Sequence, residues 1–140
     1  MKPVPQTLLE DVFPEQYAKW LISANLEGRS TVDGFLKTLQ LGYETRSLAA
    51  YVDDLDKPTS FLVVGTIHSV ILDKPTCAIF YLDGEGDSAD ALETAEAFGK
   101  LHGCGDVAIA SWIYLDSESG VPQEVLEEFD EQETILTKLL

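Results

Sequence analysis

The stretch TCAIFYLDGEGDSADALETAEAFGKLHGCGDVAIASW, residues 76–112, decides the predicted fold. Residues 76–82 form a short apolar run that stops at the turn-forming residues 83–87, which indicates a buried strand. A second apolar run at 107–113 indicates another buried strand. Because a helix that joins two buried strands forms a crossover, we expect these strands to be parallel and the helix to cover one face of the sheet.

The helix predicted between these two strands has clear boundaries. Asp87 and Ser88 are both good N-cap residues, and Gly103 lies where a left-handed C-cap is expected. Apolar residues recur every three or four positions, which is typical of a helix with one buried face. The predicted buried stripe consists of Ala91, Leu92, Ala95, Phe98 and Leu101. The loop at 83–87 joins the carboxyl end of a strand to the start of this helix, which makes it the natural place for a ligand.

Two amphipathic helices are predicted before the sheet. The first begins at Phe13-Pro14 and ends at Gly28, because proline is favoured at the start of a helix and glycine at its end. Its predicted buried stripe consists of Phe13, Tyr17, Trp20, Leu21 and Ala24. The second helix begins at an acidic version of a capping box, residues 30–33, and ends at Gly42. Residues 1–12 are expected to be an extended N-terminal segment.

The pattern as a whole predicts a single domain, residues 1–140, of the α/β (α+β) class. Strands are predicted at 48–52, 60–72, 76–82, 107–113 and 133–139, and a short helix at 121–129. The short turns between the first three strands make an antiparallel meander. Gly65 is expected to mark a bulge or a bend. The sheet is therefore expected to be mixed but mostly antiparallel, with helices on both faces.

The charge of the chain argues against several functions. Its 25 acidic side chains against 9 basic ones leave a net charge of −16. Because phosphate backbones require a basic surface, no direct binding to nucleic acid is expected, and adsorption to an anionic membrane is disfavoured for the same reason. No secretion signal follows Met1, and no apolar segment is long enough to span a membrane. We therefore expect a cytoplasmic protein whose Cys77 and Cys104 are reduced.

The order of the elements resembles that of the GCN5-related N-acetyltransferase (GNAT) fold. Residues 121–129 followed by 133–139 look like the closing helix and terminal strand of that family, and 95–103 running into 106–109 is similar to its helix and following strand. The resemblance implies that the loop after the fourth strand binds the pyrophosphate of coenzyme A through backbone amides. The positions to which this cofactor-binding role carries over are Gly84, Gly86 and Ser88.

Acidic side chains fill this loop. They are Asp83, Glu85, Asp87 and Asp90. No Lys or Arg lies between Lys74 and Lys100 to compensate for them. Two like charges at about 4 Å repel by about 4 kcal/mol at a surface-like dielectric, whereas the helix dipole contributes roughly 1 kcal/mol. We therefore expect the loop to have lost its affinity for coenzyme A, so that the protein holds no cofactor.

The leading interpretation is accordingly a non-catalytic, GNAT-like structural or interaction protein, of the kind found in the virions of tailed bacteriophages. Its partners would be other virion proteins or a basic protein, it could form oligomers, and it would lie in the cytoplasm or the virion. One alternative is a divergent N-acyltransferase that uses acetyl-CoA on a cationic amine, which an acidic surface would attract. Another is an acidic inhibitor or immunity protein that binds a basic partner.

No residue is assigned a catalytic or metal-binding role. His68 is expected in the middle of a strand and His102 at the end of a helix, where a cation is favourable for structural reasons. His102 with Cys77 and Cys104 could supply three soft ligands, but their spacing matches no zinc motif. The helix at 121–129 contains no tyrosine, the usual general acid of the family that the chain resembles.

Overall fold

The computed structural model describes residues 1–85 and 88–109, which include a five-stranded sheet whose strands lie in chain order. The strands are β1 (Lys2–Pro3), β2 (Leu48–Val52), β3 (Ser60–Ile67), β4 (Thr76–Gly84) and β5 (Asp106–Ile109). Neighbouring strands from β1 to β4 are antiparallel, whereas β4 and β5 are parallel. The predicted meander and the predicted crossover are both confirmed, and so is the mixed, mostly antiparallel sheet.

Four α-helices belong to the described residues. They are α1 (Leu9–Val12), α2 (Pro14–Ser23), α3 (Val32–Glu44) and α4 (Ser88–Leu101). Two separate buried clusters show that they cover both faces of the sheet, as predicted. The cluster here called the α2 core contains Val4, Leu9, Phe13, Tyr17, Trp20, Leu21, Leu39, Ala50, Val52, Phe61, Val63 and Tyr81. The cluster here called the α4 core contains Leu62, Val64, Cys77, Ile79, Leu82, Ala91, Ala95 and Phe98.

The ends of α2 and α3 differ from those predicted. Helix α2 ends at Ser23 rather than at Gly28, because Asn25 takes the left-handed conformation (φ 56°) that stops the helix. Helix α3 continues past Gly42 to Glu44. A Cβ on Gly42 would overlap the side chain of Leu48, so this glycine lets α3 approach β2 closely instead of ending the helix.

The start of α3 also lies one residue later than the capping box predicts. Thr31 is the N-cap, and its hydroxyl accepts a hydrogen bond of 3.0 Å from the amide of Gly34. The Ser30 hydroxyl instead lies 2.8 Å from the Tyr17 hydroxyl. Within residues 1–12, the prediction of an extended segment holds for β1 and for Pro5 (φ −59°, ψ 145°), but a 3-10 helix at Gln6–Leu8 then leads directly into α1.

Strand β3 is shorter than predicted. It ends at Ile67 because Ile67 pairs with Thr76, the first residue of β4, and the residues between them form the turn. Val70 and Ile71, predicted to belong to the strand, are 104% and 81% exposed. His68 therefore follows the strand and does not lie in its middle.

Helix α4 and its C-cap agree well with the sequence pattern. Ala91, Ala95 and Phe98 are buried in the α4 core. Gly103 has the predicted left-handed conformation (φ 72°), and the Cys104 amide closes the motif with a 2.8 Å bond to the carbonyl of Gly99. The predicted burial of Leu101 is wrong, since this side chain is 83% exposed.

Part of the prediction falls outside the described residues. This part comprises 110–113 of the last crossover strand, the helix at 121–129 and the strand at 133–139. Among the helices that the structure does describe, none has the length and apolar character needed to cross a membrane.

Candidate functional site

A β-bulge in β4 determines which way the residues at the end of this strand face. Val63 pairs with Tyr81 and the next residue of β3, Val64, pairs with Ile79, so Phe80 is an extra residue in β4. Ile79, before the bulge, lies in the α4 core, but Tyr81, two residues later, lies in the α2 core. The bulge thus reverses the alternation of the strand. The predicted bulge position, Gly65, is wrong; this glycine instead accommodates Leu48 and the Ser47 carbonyl.

The reversed alternation places the carboxylate of Asp83 on the side of α2. Asp83 Oδ2 accepts hydrogen bonds from Gln16 Nε2 and from the Tyr81 hydroxyl, both of 2.8 Å. Asp83 Oδ1 accepts a 2.8 Å bond from the amide of Gly84. Asp83 and Gln16 are both partly buried, so this cluster is closed on the side of the core and reachable from solvent.

Tyr81 forms the buried base of this cluster. It is 1% exposed, and its ring meets the ring of Trp20 edge-on with centroids 5.1 Å apart. Burial, followed by the charge of Asp83 and the hydrogen bond to it, raises the pKa of the Tyr81 phenol far above its usual range. The hydroxyl therefore keeps its proton and is the donor in its bond to Asp83.

Gly84 connects this carboxylate to the predicted cofactor loop. Its φ of 103° is left-handed, and a Cβ at this position would overlap the Thr59 carbonyl oxygen, so only glycine fits. The amide of Glu85 donates a 2.9 Å hydrogen bond to the same Thr59 carbonyl. The amides of Gly84 and Glu85 are thus bonded within the protein, to Asp83 and Thr59 respectively.

The turn between β2 and β3 holds Thr59 in place. Asp53 accepts hydrogen bonds from the Thr59 hydroxyl, from the Thr59 amide at 2.8 Å and from the Ser60 amide at 2.9 Å. Burial by itself raises the pKa of the Asp53 carboxyl, but these hydrogen bonds outweigh it and lower this pKa to about 2. Asp53 is therefore negatively charged near neutral pH, and its hydrogen bonds fix Thr59 and Ser60 at the start of β3.

Ser60 has a hydroxyl that lacks a hydrogen-bond partner among the described residues. It is 6% exposed and pairs with Gly84 across β3 and β4. Because Leu62 and Val64 on the same strand belong to the α4 core, Ser60 also lies on the face that α4 covers. A buried hydroxyl without a partner is unfavourable, so a polar group supplied from outside the described residues would satisfy it.

Of the three residues predicted to bind the cofactor, two can be placed. Gly84 is the last residue of β4 and Ser88 is the first residue of α4. Gly86 lies outside the described residues, as does Asp87. The cofactor-binding role of Gly84, Gly86 and Ser88 stays a prediction. Asp90, in the first turn of α4, lies 3.1 Å from the amino group of Met1.

The other candidate residues lie away from this junction. The ring of His102 stacks on Phe98 with centroids 4.0 Å apart, and its Nδ1 lies 2.9 Å from the Phe98 carbonyl oxygen. Cys77 and Cys104 are free thiols, the first buried and the second partly buried. Among the described residues, no group of three or more His, Cys, Asp or Glu side chains is placed to hold a metal ion.

The cluster of Gln16, Tyr81 and Asp83 was not predicted from the sequence. The available signal was weak: Tyr81 and Asp83 are polar residues two positions apart at the end of an otherwise apolar strand. Gln16 comes from a helix that lies 67 residues before Asp83 in the chain, and its contact depends on tertiary packing.

Comparison with known proteins identifies the fold. No family model matches the chain, and no curated protein matches it significantly. Several solved structures, however, match nearly the whole chain. A GCN5-related N-acetyltransferase from Ralstonia eutropha superposes with a TM-score of 0.71 at 15% identity, over 99% of this chain and 96% of that one. The fold is that of the GCN5-related N-acetyltransferases.

Two further structures with a similar fold contain a ligand. A predicted acetyltransferase from Clostridium acetobutylicum, with acetyl-CoA, matches with a TM-score of 0.73 at 11% identity, over 99% of this chain and 93% of that one. An aminoglycoside acetyltransferase from an uncultured soil metagenomic sample, in complex with sisomicin, matches with a TM-score of 0.72 at 15% identity, over 99% and 94% of the two chains.

These matches contradict the interpretation of the chain as a non-catalytic structural or interaction protein. Many of the proteins that share its GNAT-like fold over nearly the whole chain are acetyltransferases, and they give no support to a bacteriophage virion protein. They favour the alternative, an acyltransferase. The four acids of the loop were expected to repel phosphate. One of them, Asp83, faces α2 and not α4, so its charge points away from the predicted phosphate position.

Proposed function

We propose that this protein is an N-acyltransferase that uses acetyl-CoA to modify a cationic amine. The observation that carries the proposal is the match of nearly the whole chain to acetyltransferases, one of them with acetyl-CoA. The junction of β4 with α4 supports it. A strand ends there at a left-handed glycine, Gly84, and a helix of 14 residues begins at Ser88. Such a junction points amides and a helix dipole toward an anion.

The phosphates of the cofactor would bind on the α4 side of this junction. The resemblance to the GNAT fold assigns the contacts to the backbone at Gly84, Gly86 and Ser88, although the Gly84 amide is already bonded to Asp83. The Ser60 hydroxyl adds a buried donor that has no partner among the described residues. Because Asp83 faces α2, its charge is directed away from this side. Bound acetyl-CoA would supply an acetyl group as a thioester. Once the ammonium has lost a proton, the amine nitrogen would form a bond to the acetyl carbon, the C–S bond would break, and coenzyme A would leave as its thiol with the second proton of the nitrogen.

The charge of the chain supports an amine as the acceptor. A net charge of −16 attracts cations and repels anionic acceptors over the whole surface. The aminoglycoside acetyltransferase with the same fold was solved with sisomicin, an aminoglycoside that carries several amines. A polyamine of this kind is therefore a suitable first probe.

Calorimetric titration with acetyl-CoA tests the first half of the proposal. We expect one molecule to bind per chain with micromolar affinity. Replacing Glu85, an exposed acid beside the junction, by Lys should tighten this binding severalfold, because a cation replaces an anion near the phosphates. Glu96→Lys makes the same change of charge two turns along α4 and is the matched control. No binding of acetyl-CoA up to millimolar concentration would refute the proposal.

A transfer assay tests the second half. Protein, acetyl-CoA and sisomicin or spermidine are incubated together, and mass spectrometry looks for an amine product heavier by one acetyl group. We expect product only when all three components are present. If acetyl-CoA binds but no amine in a broad panel is acetylated, the reaction class is wrong although the cofactor is right.

A further inference from the structure

We propose that the carboxylate of Asp83 binds the ammonium group of the acceptor, with Gln16 and Tyr81 holding it in position. The inference rests on the proposed function for the identity of the amine as a substrate. The binding itself is a separate property, because the carboxylate and the cofactor junction lie on opposite faces of β4.

The partners of Asp83 leave its negative charge uncompensated. Its three donors, the Gln16 amide, the Tyr81 hydroxyl and the Gly84 backbone amide, are all neutral. The ion pairs between described residues involve other carboxylates, those of Glu15, Asp33 and Asp90. A partly buried carboxylate that is fixed by neutral donors interacts with a cation more strongly than an exposed one, because water screens it less.

The hydrogen-bonding capacity of Asp83 is also incompletely used. A carboxylate offers about four acceptor positions. Oδ2 receives two of the three bonds and Oδ1 only one, so a position remains on Oδ1. An ammonium group carries several N–H donors and no acceptor, which matches this remaining position. A neutral hydroxyl would gain only a weaker bond there.

The surroundings of Asp83 orient it firmly. Tyr81 is fixed by Trp20 at 5.1 Å and by Tyr17 at 5.4 Å, both measured between ring centroids. Gln16 lies on α2, one residue before Tyr17, and donates to the carboxylate from that helix. Because rigid neighbours hold both donors, the carboxylate keeps its direction before a ligand arrives, which lowers the entropic cost of binding.

The position of Asp83 suits the second substrate of a transfer reaction. It directly precedes Gly84, at the end of β4 where the predicted cofactor loop begins. An acceptor held on Asp83 would therefore lie at the strand end where the phosphates of the cofactor are proposed to bind, on the opposite face of the strand. The bulge at Phe80 creates this arrangement, since without it Asp83 would face α4.

Three variants distinguish binding of the ammonium group by Asp83 from a general attraction of cations to the acidic surface. Each variant removes one negative charge or adds one positive charge. Asp83→Asn removes the proposed ligand. Gln16→Lys keeps Asp83 and places an intramolecular ammonium beside it, which should occupy the site. Glu15→Gln is the matched control, because Glu15 is adjacent to Gln16 but pairs with Lys19 on the exposed surface of α2 at 3.4 Å.

Binding of sisomicin is measured by calorimetry in 0.15 M salt, where weak surface attraction is screened. We expect one site per chain in the native protein, at least about tenfold weaker binding in Asp83→Asn and Gln16→Lys, and less than about twofold change in Glu15→Gln. Equal binding by all four proteins would overturn the inference, as would the absence of any saturable site in the native protein.

Acetyl-CoA binding is measured on the same samples. This measurement distinguishes a failure of the amine site at Asp83 from a failure of the proposed acyltransferase function. Unchanged affinity for acetyl-CoA in Asp83→Asn shows that the variant is folded and that its defect concerns the amine alone. If acetyl-CoA binds to none of the proteins while sisomicin still requires Asp83, the amine site stands and the transferase proposal fails. Gln16→Lys retains the hydrogen bonds from Tyr81 and Gly84 and so provides a result even if Asp83→Asn does not fold.

Discussion

The amide of Glu85 donates a hydrogen bond of 2.9 Å to the carbonyl of Thr59, which ties the start of the predicted cofactor loop to the turn between β2 and β3. Thr59 is in turn held by the carboxylate of Asp53. The position of the loop therefore depends on a residue 32 positions earlier in the chain (Asp53 to Glu85).

Gly84→Ala should destabilise the protein by roughly 2–4 kcal/mol, because it adds a left-handed non-glycine residue and an overlap with the Thr59 backbone. Substitutions at two other glycines distinguish the cost of the left-handed backbone from the cost of the steric overlap. Gly103 has a left-handed φ but open space around it, so Gly103→Ala should cost about 1 kcal/mol. Gly28 has neither constraint, so Gly28→Ala should change the free energy of unfolding by less than about 0.5 kcal/mol. Urea denaturation measures all three, and an equal cost at Gly84 and Gly103 would show that Thr59 moves aside.

Asp53→Asn should destabilise the protein in a manner that depends on pH. The folded pKa of about 2 lies below the ordinary value of 3.8, so the charged carboxylate stabilises the fold above about pH 4 and loses this effect as the pH falls toward 2. We expect a difference of about 1 kcal/mol between the native protein and the variant at pH 7, since solvent weakens the interaction of a partly exposed group.

The measurement for Asp53 is the free energy of unfolding of both proteins at pH 7 and near pH 2.5, where the difference should have shrunk. Asp56→Asn is the control, because Asp56 is exposed in the same turn and its carboxylate accepts no hydrogen bond from the described residues. A difference that is constant with pH would indicate that the Asn side chain disturbs the turn by its shape and not by its charge.

The strand–helix–strand unit could be predicted because its signals are local. The apolar run at 76–82, the extent of α4 and its left-handed C-cap at Gly103 each depend on neighbouring residues, and all three are confirmed, whereas the predicted N-cap involves Asp87, which lies outside the described residues. The end of β3 could not be predicted in this way. Val70 and Ile71 have the composition of a strand, but the strand stops where its pairing with Thr76 stops. Composition does not report which residue of the next strand lies opposite.

The candidate site was harder to predict than the fold because one extra residue decides it. Strict alternation places Ile79, Tyr81 and Asp83 on one face of β4, and the bulge at Phe80 transfers the last two to the other face. An acid that was predicted to oppose phosphate binding thereby becomes the charged centre of a different cluster. The sequence correctly predicted the position of the loop, but it did not predict the direction in which its first acid faces.

The two cysteines should differ sharply in reactivity toward a thiol reagent such as dithionitrobenzoate at pH 8. Burial, together with Cys104 and Asp106 nearby, raises the pKa of the Cys77 thiol to about 11, and its side chain is fully buried. Since the thiolate is the reactive form, Cys77 should react only when the protein unfolds. We expect one reactive thiol in the native protein and two in urea.

Cys104→Ala provides the control for this assignment. The variant should show no rapid reaction in the native state and one reactive thiol after unfolding, because Cys104 is the partly buried one of the pair. Rapid reaction of both thiols in the native protein would mean that the start of β4 and the end of α4 separate readily, which the packing of Cys77 against Gly99 argues against.

Ser60→Ala should affect stability and cofactor binding in opposite directions. The Ser60 hydroxyl is buried and unpartnered among the described residues, so its removal should leave the stability of the free protein unchanged or raise it by up to about 1 kcal/mol. If the hydroxyl donates to bound acetyl-CoA, the same variant should bind that cofactor about three- to tenfold more weakly. Ser69→Ala, in the turn between β3 and β4, is the control for both measurements. A variant that is more stable and binds acetyl-CoA with native affinity would exclude Ser60 from the cofactor site, whereas a loss of both properties would indicate that Ser60 has a structural partner.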